Sequence, residues 1–279
     1  MKYMKYMKYM KRLFLIMSVL TLSFYVQAQN LTILHLNDTH SHIEPVRSGE
    51  YMGKGGVIEQ AVYIDEVRGA ESPENVLLLH AGDFSQGTSY FTEMGGDMEI
   101  AVLNAMSFDA VCLGNHEFDN GVEELSRRLA GLEMPVLCAN YDFTSTPLEG
   151  LVRPYAIIEK AGRKIGIIGL LTDVSSVVDP QIASMLKYQD PASIADKYAL
   201  MLKDLGCDLI IALTHLGYEG ELYTDQDLVR NTGYLDVVIG GHSHTFLKKQ
   251  VRMKDRRGRK VVIVTDGKWG LDIGKLTVK

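Results

Sequence analysis

Apolar residues along this chain come in short blocks that stop abruptly at polar ones, and the spacing within each block predicts the elements. Residues 31–36 form an apolar run closed by Asn37-Asp38, a first strand emptying into a polar loop. A Gly-rich break at 53–56 precedes 57–68, where Ile58, Ala61, Val62, Ile64 and Val67 approximate helical spacing. Residues 76–80 predict a second strand, apolar throughout as buried parallel strands are, and it ends at Gly82-Asp83. Helical periodicity returns over 98–106 through Ile100, Leu103 and Met106, followed by a strand at 110–113, a helix at 122–132 and a strand at 136–139. Residues 155–159 and 164–171 predict a hairpin across Ala161-Gly162.

The stretch 172–191 is irregular, with turns at Asp179-Pro180 and Asp190-Pro191. Beyond it the pattern predicts a helix at 192–205, a strand at 209–213, a short helix at 225–231 and a strand at 237–239. Residues 248–253 and 260–265 flank a charged turn, and 271–278 adds a last strand; these are expected to be antiparallel. Alternation of strands and helices over most of the length predicts an α/β protein with a mixed sheet or a pair of sheets. The charge cluster at 252–260 reads as a solvated hairpin turn rather than an anion or partner site.

Chemistry collects where the strands end. Five apolar blocks run into metal-ligand residue types: Asp38-Thr39-His40, Gly82-Asp83, Gly114-Asn115-His116-Glu117-Phe118-Asp119, Thr214-His215 and Gly240-Gly241-His242-Ser243-His244. Strand ends of open α/β sheets are where ligands bind, and five of the eight histidines lie in these clusters. A lone histidine is more often a satisfied core or loop residue, but the joint pattern points to metal. Two divalent ions close together need several N and O donors and a group that bridges them, a role that suits the two oxygens of an aspartate. Asp38 and His40, alternating along an extended segment, would face the same way. Gly82 permits a tight turn ahead of Asp83, and Asn115 can offer its amide oxygen. Imidazole and oxygen donors without thiolate suit Mn²⁺, Zn²⁺, Co²⁺ or Fe²⁺. His35 and His80, inside apolar strands, are expected to be satisfied core residues or to support the ligands, and His42 to sit at the rim or away from the site.

Composition and charge narrow the partners. At 279 residues and 46% hydrophobic content the chain can bury a large core, and no compositionally distinct second half is present, so one domain is expected over 29–279. Residues 1–28 differ: Lys2, Lys5, Lys8, Lys11 and Arg12 precede an apolar run at 13–25 that is short for a membrane span, then Val26-Gln27-Ala28. That order predicts a cleaved signal peptide and a periplasmic or otherwise exported protein, with an uncleaved anchor as the alternative. Loss of those five positive charges takes the formal balance from −6 to −11. So acidic a domain is a poor partner for long nucleic acids and, after cleavage, has no membrane-binding feature. To attract any anionic substrate it would need a local positive charge, which bound metal ions could supply. Cys112, Cys138 and Cys207 lack zinc-site spacing and are expected to be buried free thiols, with one disulfide as the alternative.

The ordered motifs Asn37-Asp38-Thr39-His40, Gly82-Asp83, Gly114 to Asp119 and Gly241-His242-Ser243-His244 resemble those of calcineurin-like metallophosphoesterases. The longer match through Asn104-Ala105-Met106, Phe108-Asp109-Ala110 and Asn115 to Gly121 is similar to the exported 5′-nucleotidase family. The resemblance implies two mixed β-sheets sandwiched between helices, with a two-metal centre at the strand ends. It implies that Asp38, His40 and His244 hold one ion, that Asn115, His215 and His242 hold the other, and that Asp83 bridges them. A water activated by the ions would attack phosphorus, while His116, oriented by Asp119, would protonate the leaving oxygen or stabilise the phosphoryl group. Glu117 and Phe118 are expected to be structural. The implied reaction is hydrolysis of phosphomonoesters, nucleotides among them. The alternatives are a 2′,3′-cyclic phosphodiesterase, a nucleotide-sugar hydrolase or a thiosulfohydrolase-type enzyme. Exported 5′-nucleotidases usually carry a C-terminal domain that supplies phosphate-binding arginines and a base-stacking aromatic pair. The sequence shows none, so a separately encoded C-terminal partner chain is a further expectation.

Overall fold

A computed structural model describes residues 30–279; the predicted signal peptide lies outside the described residues. Fourteen strands are present among them: β1 Leu31–Leu36, β2 Val76–His80, β3 Ala110–Cys112, β4 Val136–Leu137, β5 Tyr141–Asp142, β6 Val152–Arg153, β7 Tyr155–Lys160, β8 Arg163–Leu171, β9 Lys187–Tyr188, β10 Leu209–His215, β11 Val237–Ile239, β12 Val251–Lys254, β13 Lys260–Val264 and β14 Gly274–Val278. The helices are α1 Val57–Glu71, α2 Ser89–Met94, α3 Asp97–Ala105, α4 Gly121–Leu129, α5 Pro180–Ala183, α6 Pro191–Asp204 and α7 Asp225–Asn231. No helix among the described residues is long and apolar enough to cross a membrane.

Two six-stranded sheets form, in the orders β14-β1-β2-β3-β4-β6 and β12-β13-β11-β10-β8-β7, and β5 pairs with β9. The central strands run parallel, and antiparallel pairs close the edges at β14, β12 and β7. Both sheets are therefore mixed, as expected.

Side-chain alternation explains the layering. Successive residues of a strand point to opposite faces, so Leu31 and Ile33 of β1, Leu77 and Leu79 of β2, and Leu209, Ile211 and Leu213 of β10 meet in one cluster between the sheets. Leu34 and Leu36 turn the other way, with Leu78, onto Ile64 and Val67 of α1 and Leu103 of α3. On the far side Ile210 and Ala212 pack against Ala195, Ala199 and Leu202 of α6 and Leu228 of α7. Strands buried on both faces must be apolar at every position, which is why they read as unbroken runs.

At one point the sheets nearly touch. A Cβ added at Gly169 of β8 would lie 2.4 Å from the backbone carbonyl of Leu137 in β4. Gly169→Ala is therefore expected to destabilise by about 1–3 kcal/mol through overpacking. Gly69→Ala in α1, where the added methyl meets nothing within 4 Å, should be neutral or stabilising by about 0.5–1 kcal/mol. Thermal melting of the two variants checks the contrast; equal shifts would contradict it. All three cysteines are buried and free.

Candidate active site

The parallel strands deliver the five polar clusters to one end of the sandwich. β1 leads directly to Asp38 and His40, β2 to Asp83, β3 to Asn115 and His116, β10 ends on His215, and β11 leads to His242 and His244. These residues assemble into two groups whose donor atoms lie within 4.8 Å of one another: Asp38, His40 and His244, and Asp83, His215 and His242. Asp38 Oδ1 is 3.3 Å from His244 Nε2 and 3.7 Å from His40 Nε2. Asp83 Oδ2 is 2.9 Å from His215 Nε2 and 3.9 Å from His40 Nε2, so it faces both groups.

The loops that carry these residues are not extended. Asp38 (φ 49°), His40 (φ 47°), Asp83 (φ 53°), His242 (φ 76°) and His244 (φ 53°) all occupy the left-handed region. Asp38 and His40 therefore do not share a direction by strand alternation, as their spacing suggests; the backbone turns back at each of them. Such conformations cost on the order of 1–3 kcal/mol apiece and persist where surrounding contacts enforce them. Here the enforcement is a short ladder in which the backbone N–H groups of Asp38, His40 and Ser41 donate to the carbonyls of Gly82, Asp83 and Phe84. Trp269 N–H donates to the Asp38 carbonyl, and Asn37 Nδ2 donates to Asp38 Oδ2 at 2.7 Å.

Glu117 does the same for the second loop. Its buried carboxylate accepts the backbone N–H groups of Asp83 (2.9 Å), Ser85 (3.0 Å) and Gly114 (2.6 Å), a structural role as expected. Arg128, also buried, donates to Ser85 Oγ and to the Glu117 carbonyl. A Cβ at Gly114 would fall 2.1 Å from Asp83 Oδ1, so only glycine lets the two loops approach this closely.

His116 stands beside the first group, its ring centroid 5.4 Å from that of His40. Its backbone N–H donates to Asp83 Oδ1 at 2.9 Å, and its Nδ1 is 2.8 Å from Asp119 Oδ2. The hydrogen bond to Asp119 outweighs partial burial and raises the His116 pKa to about 9.

Residues 31–246 match the calcineurin-like phosphoesterase family. The chain belongs to that family. A snake venom 5′-nucleotidase from Gloydius brevicauda is 36% identical over 89% of this chain and 45% of that protein. A probable 5′-nucleotidase from Treponema pallidum is 37% identical over 78% of this chain and 37% of that protein. The crystal structure of a 5′-nucleotidase precursor from Thermus thermophilus superposes with a TM-score of 0.80 at 35% identity, covering 90% of this chain and 51% of that one. The chain thus spans about half the length, or less, of these relatives.

The donor set of this calcineurin-like phosphoesterase fits divalent metal. Burial alone would push the His215 pKa down, but the Asp83 and Asp38 carboxylates outweigh it and raise it to about 10. The same two carboxylates that favour positive charge on this ring would favour a bound divalent cation. His215 Nδ1 lies 2.7 Å from the Ala81 carbonyl, which assigns the N–H to that nitrogen and leaves Nε2 as the donor facing Asp83. Asn115 Oδ1 is buried without a protein hydrogen-bond partner. Unpaired buried acceptors of this kind are costly unless something binds them.

Several neighbours carry no signal in the sequence pattern. His42 stacks on Trp269 at 4.6 Å between ring centroids, with Tyr51 edge-on to the same indole. His35 pairs with Asp266 at 2.5 Å, and His80 Nε2 lies 3.1 Å from Thr39 Oγ1. Asp225, wholly buried, accepts the Thr214 hydroxyl hydrogen bond, and burial pushes its pKa up to about 7. Only the three-dimensional return of the 266–269 segment could reveal the first two contacts. Two further carboxylates serve local turns: Asp173 caps the turn Val174–Ser176 and Asp142 accepts the Thr144 N–H.

Proposed function

We propose that this chain is an exported, two-metal hydrolase of phosphomonoesters, with nucleoside 5′-monophosphates as the preferred substrates. The observation that carries the reading is the pair of three-residue donor groups facing each other across Asp83, with His116 and Asp119 alongside. We assign Asp38, His40 and His244 to one ion, Asn115, His215 and His242 to the other, and Asp83 to both. Mn²⁺, Zn²⁺, Co²⁺ and Fe²⁺ suit these donors. Divalent ions held there supply Lewis acidity toward the phosphoryl group and lower the pKa of water to near neutrality. The chain's own part is to place and protonate. Asp119 favours the protonated His116 ring and fixes its orientation, and His116 gives that proton to the leaving oxygen.

The nucleotide preference is supported by the names of the relatives, 5′-nucleotidases across 78–89% of this chain. Because the match covers half of those proteins or less, we propose that substrate selection also draws on protein outside this sequence, on the same polypeptide or on a partner chain. Export is supported by the basic, apolar and small-residue order of residues 1–28.

The test is hydrolysis by the purified protein with Mn²⁺, using nucleoside 5′-monophosphates, an aryl phosphate, a 2′,3′-cyclic nucleotide, a nucleotide sugar and a thiosulfate ester. Phosphomonoesters are expected to give the highest kcat/KM. Failure to cleave any of them would overturn the reading, and a higher rate on one of the other substrates would move it to that class.

A further inference from the structure

Behind the Asp38–His40 loop lies a small cavity of about 20 Å³ that the proposed chemistry does not use. Glu99, on α3, reaches it from the helix layer. The residue is 3% exposed, and neither carboxylate oxygen has a protein hydrogen-bond partner. Ser41 and His80 line the same cavity, and Ser41 Oγ and His80 Nδ1 are likewise buried and unpartnered. Most of the remaining wall is apolar, including Phe84, Leu103 and Phe108.

We propose that this cavity holds one ordered water bound by Glu99, Ser41 and His80, and that Glu99 acts through it as a positioning residue for the metal-ligand loop. The role in metal binding rests on the two-metal reading above.

Size and polarity both fit. A buried water needs roughly 10–15 Å³ of probe-occupied volume and two to four polar partners, and a larger ligand would not fit. Leaving a carboxylate buried and unpaired costs several kcal/mol, so an apolar side chain would serve α3 better unless something satisfies the oxygens. The donors and acceptors also match at the water, which satisfies one of the two Glu99 oxygens. Burial lowers the His80 pKa to about 3, so the ring is neutral with a single N–H. Placing that hydrogen on Nε2 lets it donate to Thr39 Oγ1 at 3.1 Å and leaves the Nδ1 lone pair facing the cavity. The water then donates to Glu99 and to His80 Nδ1 and accepts from the Ser41 hydroxyl.

The chain that results runs from Glu99 through water and His80 to Thr39, and from the same water to Ser41. Those two loop residues flank His40, and Asp38, His40 and Ser41 all hold positive φ. The His80 ring cannot easily turn away, because Phe84 and Phe108 meet it edge-on at 5.8 and 5.7 Å. The water-centred chain therefore braces a strained segment through contacts additional to the ladder to residues 82–84. Partners one step removed from a metal ligand typically change metal affinity about 10–100-fold when lost.

The experiment is Mn²⁺ titration of the metal-free full chain as wild type, Glu99→Gln and Glu99→Leu, together with a high-resolution crystal structure of the wild type. Glu99→Leu is expected to weaken one of the two Mn²⁺ sites about tenfold or more and to leave the other within about threefold. Glu99→Gln, which keeps the shape and an acceptor for the water, should rescue both. A purely structural role for Glu99 would instead lower the melting temperature while leaving both affinities unchanged, and that outcome overturns the positioning role. The crystal structure should show one water on Glu99, Ser41 and His80; a dry cavity overturns the proposal even if Glu99→Leu does not fold. A wild type that binds no Mn²⁺ would sink the two-metal reading instead, and the crystal structure would still decide the cavity.

Discussion

Asp83→Ala is expected to lower kcat for phosphomonoester hydrolysis by at least about 10³-fold, beyond the 10–100-fold that partners outside the ligand shell usually cost. The reason is that one carboxylate faces both donor groups. Its Oδ2 lies 2.9 Å from His215 and 3.9 Å from His40, while Oδ1 accepts the His116 N–H. Alanine removes the only side chain we assign to both ions and frees the backbone that carries the proposed general acid. It also takes away the first of the carboxylates that hold the His215 pKa near 10, so the centre loses cohesion with or without metal. Asp83→Asn, which keeps the shape and one oxygen but not the charge, should fall between alanine and wild type. Steady-state kinetics at saturating Mn²⁺ checks this; an Asp83→Ala enzyme within tenfold of wild type would remove the bridging assignment.

His116→Ala should show a loss that depends on the leaving group. A positioned general acid contributes about 10²–10⁴-fold when the departing oxygen needs a proton. Nucleoside 5′-monophosphates, which expel an alkoxide, should lose that much, whereas an activated aryl phosphate, which expels a stable phenolate, should lose about tenfold or less. The pH dependence has a defined sign. Asp119 raises the His116 pKa, to about 9 in the metal-free site, so the ring holds its proton to higher pH than a free imidazole and its loss gives an alkaline limb. Asp119→Asn removes the largest raising contribution, and the alkaline limb of kcat/KM should move to lower pH. Equal losses on both substrate classes, or an unmoved limb, would count against the assignment.

The sandwich was legible because its central strands are buried on both faces. β1, β2, α7 and β11 begin and end where the apolar pattern places them. Boundaries drift where no local signal stops an element. α1 runs on to Glu71 because nothing breaks it before Ser72 and Pro73, and the last strand starts only at Gly274, after the chain turns at Trp269 and Gly270 with positive φ. Strands of two residues, such as β5 and β9, exist through their partner and leave no periodicity to read. The same limit applies to the site. Residue types at strand ends single out the seven metal-ligand candidates and the His116–Asp119 pair. They cannot reveal that five of those seven sit in left-handed backbone, or that Glu99, from a helix, reaches the back of the ligand loop.

The most direct test of the proposed two-metal centre is metal content measured alongside activity. The protein is stripped with chelator, Mn²⁺ is added back stepwise, and bound ions per chain are counted while phosphate release from a nucleoside 5′-monophosphate is followed. Two ions per chain are expected, with hydrolysis returning in step with the second, and Asp83→Ala should retain at most one. Full activity in the stripped protein, or activity complete at one ion per chain, would contradict the account.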